Sequence, residues 1–424
     1  MLGVLHAMGL GVFRIGLHLA AMAGHTKAQE AVAGRRGWED RLAQAARAAG
    51  QDRRKDWIHI HCASLGEYEQ GAPILKALRE RVPQRPILLT FFSPSGMQSA
   101  PTGVADHVDY LPLDSRKAMR RFHALIPASD TVLIKYELWP GLLSIRLAAG
   151  CRVHLVAARF DHGRFPANRW GSGVRRLMSA FTTLQVQDDH SKEVMAGLAV
   201  DAEVTGDPRV DRVMDTATGP VDPEVQFQLD RISTWVGDRN LVMVGSAWSA
   251  EWQALQGCIG NHDNWCYVVA PHEVDSPATA EWASNSGFPR TSVHQTGPLP
   301  ESEGLILDQV GLLKHAYRLC TIAVVGGGWG AGVHNTLEPA AFGLPVAVGP
   351  AIDGFREIAS LQAVGALHVC DTPEALGRLL GTWMDPMSTE VLEEKGIQAA
   401  EWVQRRRGAA HRIADRILNA AGNG

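Results

Sequence analysis

Trp57-Ile58-His59-Ile60-His61-Cys62-Ala63-Ser64-Leu65-Gly66-Glu67 runs straight into a stretch carrying Pro73, Ile74, Leu75, Ala77 and Leu78. It reads as a short, mostly apolar strand, a tight turn and a helix. An apolar run of this kind is what a parallel strand covered by helices on both faces requires. The unit recurs. Residues 86–92, 131–135, 153–157, 183–187 and 203–205 complete a first series of six strands, and 241–245, 265–270, 304–307, 321–325, 345–348 and 366–369 form a second. Strands alternating with helices predict doubly wound α/β domains, and two series predict two of them. The join is expected near residues 206–223, where Gly, Pro and Asp cluster. The expected boundaries are an N-terminal helical segment over 1–55, domains over 56–210 and 220–392, and C-terminal helices over 393–424.

The composition bounds the function. With 424 residues, 46% hydrophobic and 20% charged, the chain is globular and too long for one core. A net charge of -4 provides no basic field, so nucleic acid is not an expected partner. The six cysteines (Cys62, Cys151, Cys258, Cys266, Cys320 and Cys370) form no CxxC pair and read as buried thiols of a reducing compartment. The 17 histidines form no HExxH or comparable ligand spacing, so no metal site is expected. A GxSxG elbow and a GxxxxGK[ST] loop are also missing from the sequence, which removes support for the corresponding hydrolase and P-loop readings.

Residues 1–24 are apolar enough to raise the question of a signal peptide or a spanning helix. Val4, Met8, Val12, Ile15, Leu19 and Met22 recur at helical spacing, with Arg14, His18 and His25 in a polar sector. A polar residue every few positions and the lack of a small-residue cleavage site favour a helix lying in a bilayer interface; packing on the protein's own core is the alternative. Nine basic residues fall within 1–55 (Arg14, Lys27, Arg35, Arg36, Arg41, Arg47, Arg53, Arg54 and Lys55) against four acids. Near anionic lipid each such charge adds about 1 kcal/mol. The segment is therefore expected to face an anionic membrane surface from the cytoplasmic side.

Three motifs carry possible chemistry. Ser64-Leu65-Gly66-Glu67 follows a strand end, where α/β sheets bind ligands and where a glycine lets a substrate come close to the backbone. Glu67 there is a candidate general base, or an acid favouring a helix N-terminus. Lys135-Tyr136-Glu137-Leu138-Trp139-Pro140 places a second carboxylate at another strand end; Glu137 is either functional or a structural acceptor for backbone N–H groups or an arginine. In the second half, Val324-Val325-Gly326-Gly327-Gly328-Trp329-Gly330 runs on to His334-Asn335-Thr336-Leu337-Glu338-Pro339. A glycine loop before a helix start offers N–H groups to a phosphate. Asn335 and Glu338 have cap-to-N3 spacing, so a local capping contact is the alternative for Glu338.

Taken in order, Ser64-Leu65-Gly66-Glu67, Tyr110-Leu111-Pro112-Leu113-Asp114, Glu137-Leu138-Trp139-Pro140, Ala158-Arg159, Val204-Thr205-Gly206-Asp207, Gly326-Gly327-Gly328, His334-Asn335-Thr336-Leu337-Glu338-Pro339, Gly349-Pro350 and Phe355-Arg356-Glu357 resemble the family that transfers 3-deoxy-D-manno-octulosonic acid (Kdo). The resemblance runs from residue 64 to 357. It implies the GT-B architecture, two Rossmann-like α/β domains facing a cleft, and inverting transfer of Kdo from CMP-Kdo to a lipid A precursor without an essential metal or other cofactor. It implies the cytoplasmic face of the inner membrane as location. By motif it implies Glu67 as base and Glu137 as an acid of the acceptor side. It implies Ser246, Pro271, His272, Gly327, Gly328, Asn335, Thr336 and Glu338 as donor-binding residues, and Ser64, Gly66, Arg159 and Arg164 as acceptor-binding residues. Arg169, Arg175 and Arg176 extend the same basic stretch, for which a solvated face is the alternative.

The chain departs from the family pattern in two places. Pro271 is followed by His272 where many members carry arginine, and Lys135-Tyr136 stands where the family has Glu-Thr. Two other readings of the sequence are a GT-B enzyme of another kind, with a different donor or epimerase activity, and a non-catalytic lipid-surface protein on the same fold.

Overall fold

A computed structural model describes residues 2–50, 56–164, 172–330 and 332–420. The chain divides into two compact units, Met1–Arg212 with Gly408–Gly424, and Val213–Arg407.

The first unit is built on a parallel sheet of seven strands: β1 (Ile58–Cys62), β2 (Ile87–Phe91), β3 (His107–Tyr110), β4 (Asp130–Ile134), β5 (Arg152–Ala158), β6 (Thr183–Val186) and β7 (Glu203–Val204). Their spatial order is β3-β2-β1-β4-β5-β6-β7. The second unit repeats the plan with β8 (Asn240–Ala247), β9 (Trp265–Pro271), β10 (Arg290–Thr291), β11 (Gly304–Leu307), β12 (Ile322–Val325), β13 (Val346–Val348) and β14 (Leu367–Val369), in the order β10-β11-β9-β8-β12-β13-β14. Each sheet thus has seven strands where six were expected. The additions are β3, whose His107 and Asp109 break the apolar pattern, and β10, only two residues long.

Alternation along the strands fills both faces. In the first unit Leu88, Leu133, Val153 and Leu155 enter one core, while Ile58, Ile60, Ile87, Leu89, Val132 and Val156 enter the other. In the second, Val242, Val244, Tyr267, Val269 and Val324 oppose Leu241, Met243, Cys266, Val268 and Ala323. This two-sided burial is why the strands read as continuous apolar runs. All six cysteines are free, and only Cys320 is partly exposed.

Residues 208–218, read from the sequence as part of a linker, form the helix Pro208–Thr218, because Val210, Val213 and Met214 share an apolar stripe and are buried. The expected C-terminal helices are Thr389–Gln404 and Ala409–Asn419, the second preceded by Gly408, whose φ of 91° turns the chain into it. The last helix belongs to the first unit. Its Ala410, Ile413, Ala414 and Ile417 lie in the core under Ile74 and Leu78.

At the N-terminus, helix Leu2–Met22 leads into Thr26–Gly34 and Trp38–Ala48. Val12, Ile15, Leu19 and Met22 are 58–82% exposed, whereas Phe13 packs against Phe92 at 5.7 Å. The apolar stripe named from the sequence therefore faces solvent over its described side chains; Val4 and Met8 lie outside the described side chains. No helix among the described residues is long and apolar enough to cross a membrane. Two of the nine basic residues are engaged internally. Arg35 donates to the carbonyls of Ala31, Phe92 and Leu111, and Arg41 pairs with the buried Asp109 at 2.6 Å. Arg14, Lys27, Arg36 and Arg47 are exposed, and Arg53, Arg54 and Lys55 lie outside the described residues.

Candidate active site

In both sheets the first strand lies centrally and the chain then fills one side before crossing to the other. The crossover falls between β1 and β4 in the first unit and between β8 and β12 in the second. Ligands of doubly wound sheets bind at this switch, beyond the carboxyl ends of the strands. Each sequence motif lies there: 64–67 after β1, 135–140 after β4, Ser246 at the end of β8, and 326–328 after β12.

Ser64, in extended conformation, caps the helix Leu65–Arg81, and Glu67 stands in its first turn. The Ser64 hydroxyl donates to Glu67 Oε2. A Cβ added at Gly66 would meet only Ser64 Oγ, at 3.8 Å, so packing within the protein does not demand the glycine there. The open space above it is available to a ligand.

From β4 the chain turns through Lys135 at φ 68°, a left-handed conformation costing a non-glycine residue about 1–3 kcal/mol. Glu137 follows. Its Oε2 accepts from the indole Nε1 of Trp139 at 2.6 Å and lies 3.8 Å from His61 Nε2. Among the described residues its hydrogen-bond donor is thus an indole, where a backbone N–H or an arginine was the structural alternative. Burial, and then the neighbouring charge of Glu67, push the Glu137 carboxyl up to about 7, against the pull of the Trp139 bond. His61 is fully buried, bonded through Nδ1 to Thr90 Oγ1 at 2.8 Å, and burial drives its pKa down to about 3. The His61–Glu137 approach is therefore close but not an ion pair near neutrality.

Lys135 is the neighbour of this carboxylate pair that the sequence reading left without a role. Burial lowers its pKa, as does Arg209, while Glu67 and Asp207 raise it. Asp207 is itself clamped by Arg209 at 2.6 and 2.8 Å. Arg159 reaches Asp161 at 3.5 Å and contributes to the field at Lys135. Arg164 is exposed, Arg175 and Arg176 lie on the helix Ser172–Met178, and Arg169 is outside the described residues.

In the second unit Ser246 adopts φ 53°, so β8 ends in a second left-handed turn. The glycines of 326–328 answer to close packing. A Cβ on Gly326 would sit 2.2 Å from Ser246 O, and one on Gly328 2.5 Å from Gly349 Cα. The amides do not stand open for a phosphate as expected. Gly327 N–H donates to Glu251 Oε1 at 2.9 Å, Trp248 N–H to Glu251 Oε2 at 3.0 Å, and the Gly328 amide is also directed at this buried carboxylate. A second anion at Gly327 and Gly328 would meet Glu251, and what these glycines provide is close approach of backbone. The helix behind the loop, Leu337–Ala341, is five residues long, with Thr336 as its cap residue. Asn335 accepts from Leu337 N–H and donates to Glu338 Oε1, both at 3.1 Å, so the local contact foreseen for Glu338 is made, through its side chain.

Two polar atoms here are buried without a hydrogen-bond partner among the described residues, Thr336 Oγ1 and His334 Nε2. Buried polar atoms are seldom left unpaired, and such atoms beside a strand-end loop fit a ligand. Pro271 ends β9 and is buried. The ring of His272 is stacked on Trp248 at 4.4 Å and lies 4.8 Å from His334. Glu251, Trp248 and His334 had no assigned role in the sequence reading. Only Glu251 left a signal, its place three residues after Trp248 at a helix start.

Two doubly wound α/β units, each with its polar motifs at the switch point, define a fold of the GT-B class. Its likeness extends to the UDP-GlcNAc 2-epimerase from Neisseria meningitidis bound to UDP-GlcNAc (12% identity, TM-score 0.63, 87% of this chain and 100% of that one). A family model described as 3-deoxy-D-manno-octulosonic-acid transferase (kdotransferase) matches residues 36–212. Among curated relatives, the 3-deoxy-D-manno-octulosonic acid transferase of Haemophilus influenzae is 27% identical over 377 residues, covering 84% of this chain and 86% of its own. That of Bordetella pertussis is 26% identical over 384 residues, covering 85% and 86%. The chain is thus similar to Kdo transferases over most of its length.

Proposed function

We propose that the protein is an inverting glycosyltransferase that moves Kdo from CMP-Kdo to a lipid A precursor in lipopolysaccharide synthesis, at the cytoplasmic face of the inner membrane and without a metal cofactor. The observation that carries the reading is the carboxylate pair Glu67 and Glu137 at the β1/β4 switch point of a chain similar to Kdo transferases. An acceptor hydroxyl is a poor nucleophile at neutral pH, and a carboxylate beside it accepts its proton as it attacks the anomeric carbon. Glu67 takes that role. Glu137, protonated in about half of the molecules near neutrality, limits the negative charge beside the base and, when protonated, offers a hydrogen bond to the acceptor. Ser64, Gly66, Lys135, Arg159 and Arg164 supply polar and cationic contacts for the acceptor. On the second unit, Ser246, Pro271, His272, Asn335, Thr336 and Glu338 hold the donor, with Gly327 and Gly328 giving room.

A lipid acceptor is supported by the exposed stripe Val12, Ile15, Leu19 and Met22, and by an apolar cavity of about 460 Å³ walled by Phe13, Leu17, Ala20, Ala31, Phe92 and Pro94. Phe92 packs on Trp139 at 4.9 Å, and Trp139 holds Glu137. Apolar surface with cations beside it is what an anionic membrane binds. Nucleic acid has no place in this reading.

The test is purified protein with CMP-Kdo and a lipid A precursor, with CMP release and product mass followed together. A mass increase of one or more Kdo residues, matched by CMP and unchanged in EDTA, is expected. CMP release without a heavier lipid refutes transfer, and loss of activity in EDTA refutes metal independence.

A further inference from the structure

The second unit contains a ladder of three rings that the sequence did not foretell. Trp248 and His272 are parallel to within 19° at 4.4 Å, and His334 lies 4.8 Å from His272, tilted by 36°. One face of Trp248 is covered by His272, yet the residue remains 37% exposed, unusual for a tryptophan at a strand end in a sheet whose core is otherwise closed.

The backbone that carries the indole is held in place. Ser246 turns the chain at φ 53°, Trp248 N–H is tied to Glu251, and the same carboxylate holds Gly327 N–H. Ladder and glycine loop are thus braced by one buried acid at the β8/β12 switch point. Because Glu251 takes the amides of the loop, the loop is poorly placed to bind phosphate through them, and donor affinity must come from other contacts.

We propose that the face of Trp248 turned away from His272 is the platform on which the nucleobase of the donor stacks. The proposal rests on the nucleotide-sugar reading above and deepens it by naming the contact that holds the base. Stacking on an aromatic face tolerates any base, so Trp248 supplies affinity while base identity is read at the ring edges.

The experiment is calorimetric titration of the full chain with CMP and with UMP. Trp248→Ala is expected to weaken both nucleotides by the same factor, roughly 10- to 100-fold. Trp248→Phe, which keeps an aromatic face, is expected to restore most of the CMP affinity. The exposed site predicts an unchanged melting midpoint for both variants, which separates loss of stacking from loss of fold. If the unaltered protein binds CMP and Trp248→Ala binds it equally well, the platform is refuted while the donor reading stands. If the unaltered protein binds no CMP, the donor reading falls and takes the platform with it. A loss confined to CMP, with UMP unchanged, also overturns stacking, because it would mark recognition of the base edge.

Discussion

Glutamine at position 137 keeps the shape of the side chain and its bond from Trp139 but cannot ionise, so it isolates what the charge costs the fold. The side chain is 15% exposed, and its carboxyl titrates near 7 where an ordinary glutamate titrates near 4.5. A raised carboxyl binds more protons in the folded than in the unfolded chain, so its effect on stability falls as pH rises between those values. Well below 4.5 both states are protonated and Glu137→Gln changes nothing through ionisation. Above 7 the folded protein carries a charge that burial and Glu67 disfavour. The shift from 4.5 to about 7 corresponds to roughly 3 kcal/mol, at about 1.4 kcal/mol per unit. Glu137→Gln should therefore be more stable than the parent by on the order of 3 kcal/mol at about pH 8.5, and by under about 0.5 kcal/mol at about pH 4.5. Urea unfolding at the two pH values, following the transition of the first unit, measures it. A variant equally stable or less stable than the parent at the higher pH would refute the account of Glu137 as a buried acid held uncharged.

Glu67→Gln should leave the fold and CMP binding intact while lowering the transfer rate about 10²- to 10⁴-fold, read as Kdo-lipid formed per minute; a loss of only a few-fold would move the base to Glu137. Removing residues 1–24 should shift the protein off anionic liposomes in co-sedimentation while CMP binding persists, and full retention on the vesicles would sink the membrane role of that helix. Glu338→Ala should weaken CMP by roughly tenfold with little change in melting point. A large drop in melting point at unchanged CMP affinity would instead assign Glu338 to the local bond with Asn335.

The doubly wound plan was readable because strands buried on both faces leave continuous apolar runs, and twelve of the fourteen strands announce themselves that way. β3 and β10 do not, since an edge strand with one neighbour tolerates His107, Asp109 and Arg290. The helix Pro208–Thr218 was masked by the Gly, Pro and Asp around it, although Val210, Val213 and Met214 carry its period. Glu67 and Glu137 were legible as acids at strand ends. Their mutual influence was not, because it depends on β1 and β4 being neighbours across 67 residues of intervening chain. The glycines of 326–328 show the opposite error. A phosphate loop and a tight crossing of two backbones use the same residue, and only the position of Glu251 tells which is present. The left-handed turns at Lys135 and Ser246 leave no trace in composition, because neither residue is a type that favours them.

The return of the final helix to the first unit has a consequence for how the protein is made. The first unit's chain is interrupted by all of Val213–Arg407, and Ile413 and Ile417, which close the core over Ile74 and Leu78, leave the ribosome only after that whole insertion has been synthesised. Until then the core that holds Ile74 and Leu78 lacks the side chains of the last helix. The second unit, continuous in sequence, can complete its core while the first is still waiting. The first unit's core is thus completed by residues that follow the second unit in the chain, and the sheet that starts first is the one that is completed later.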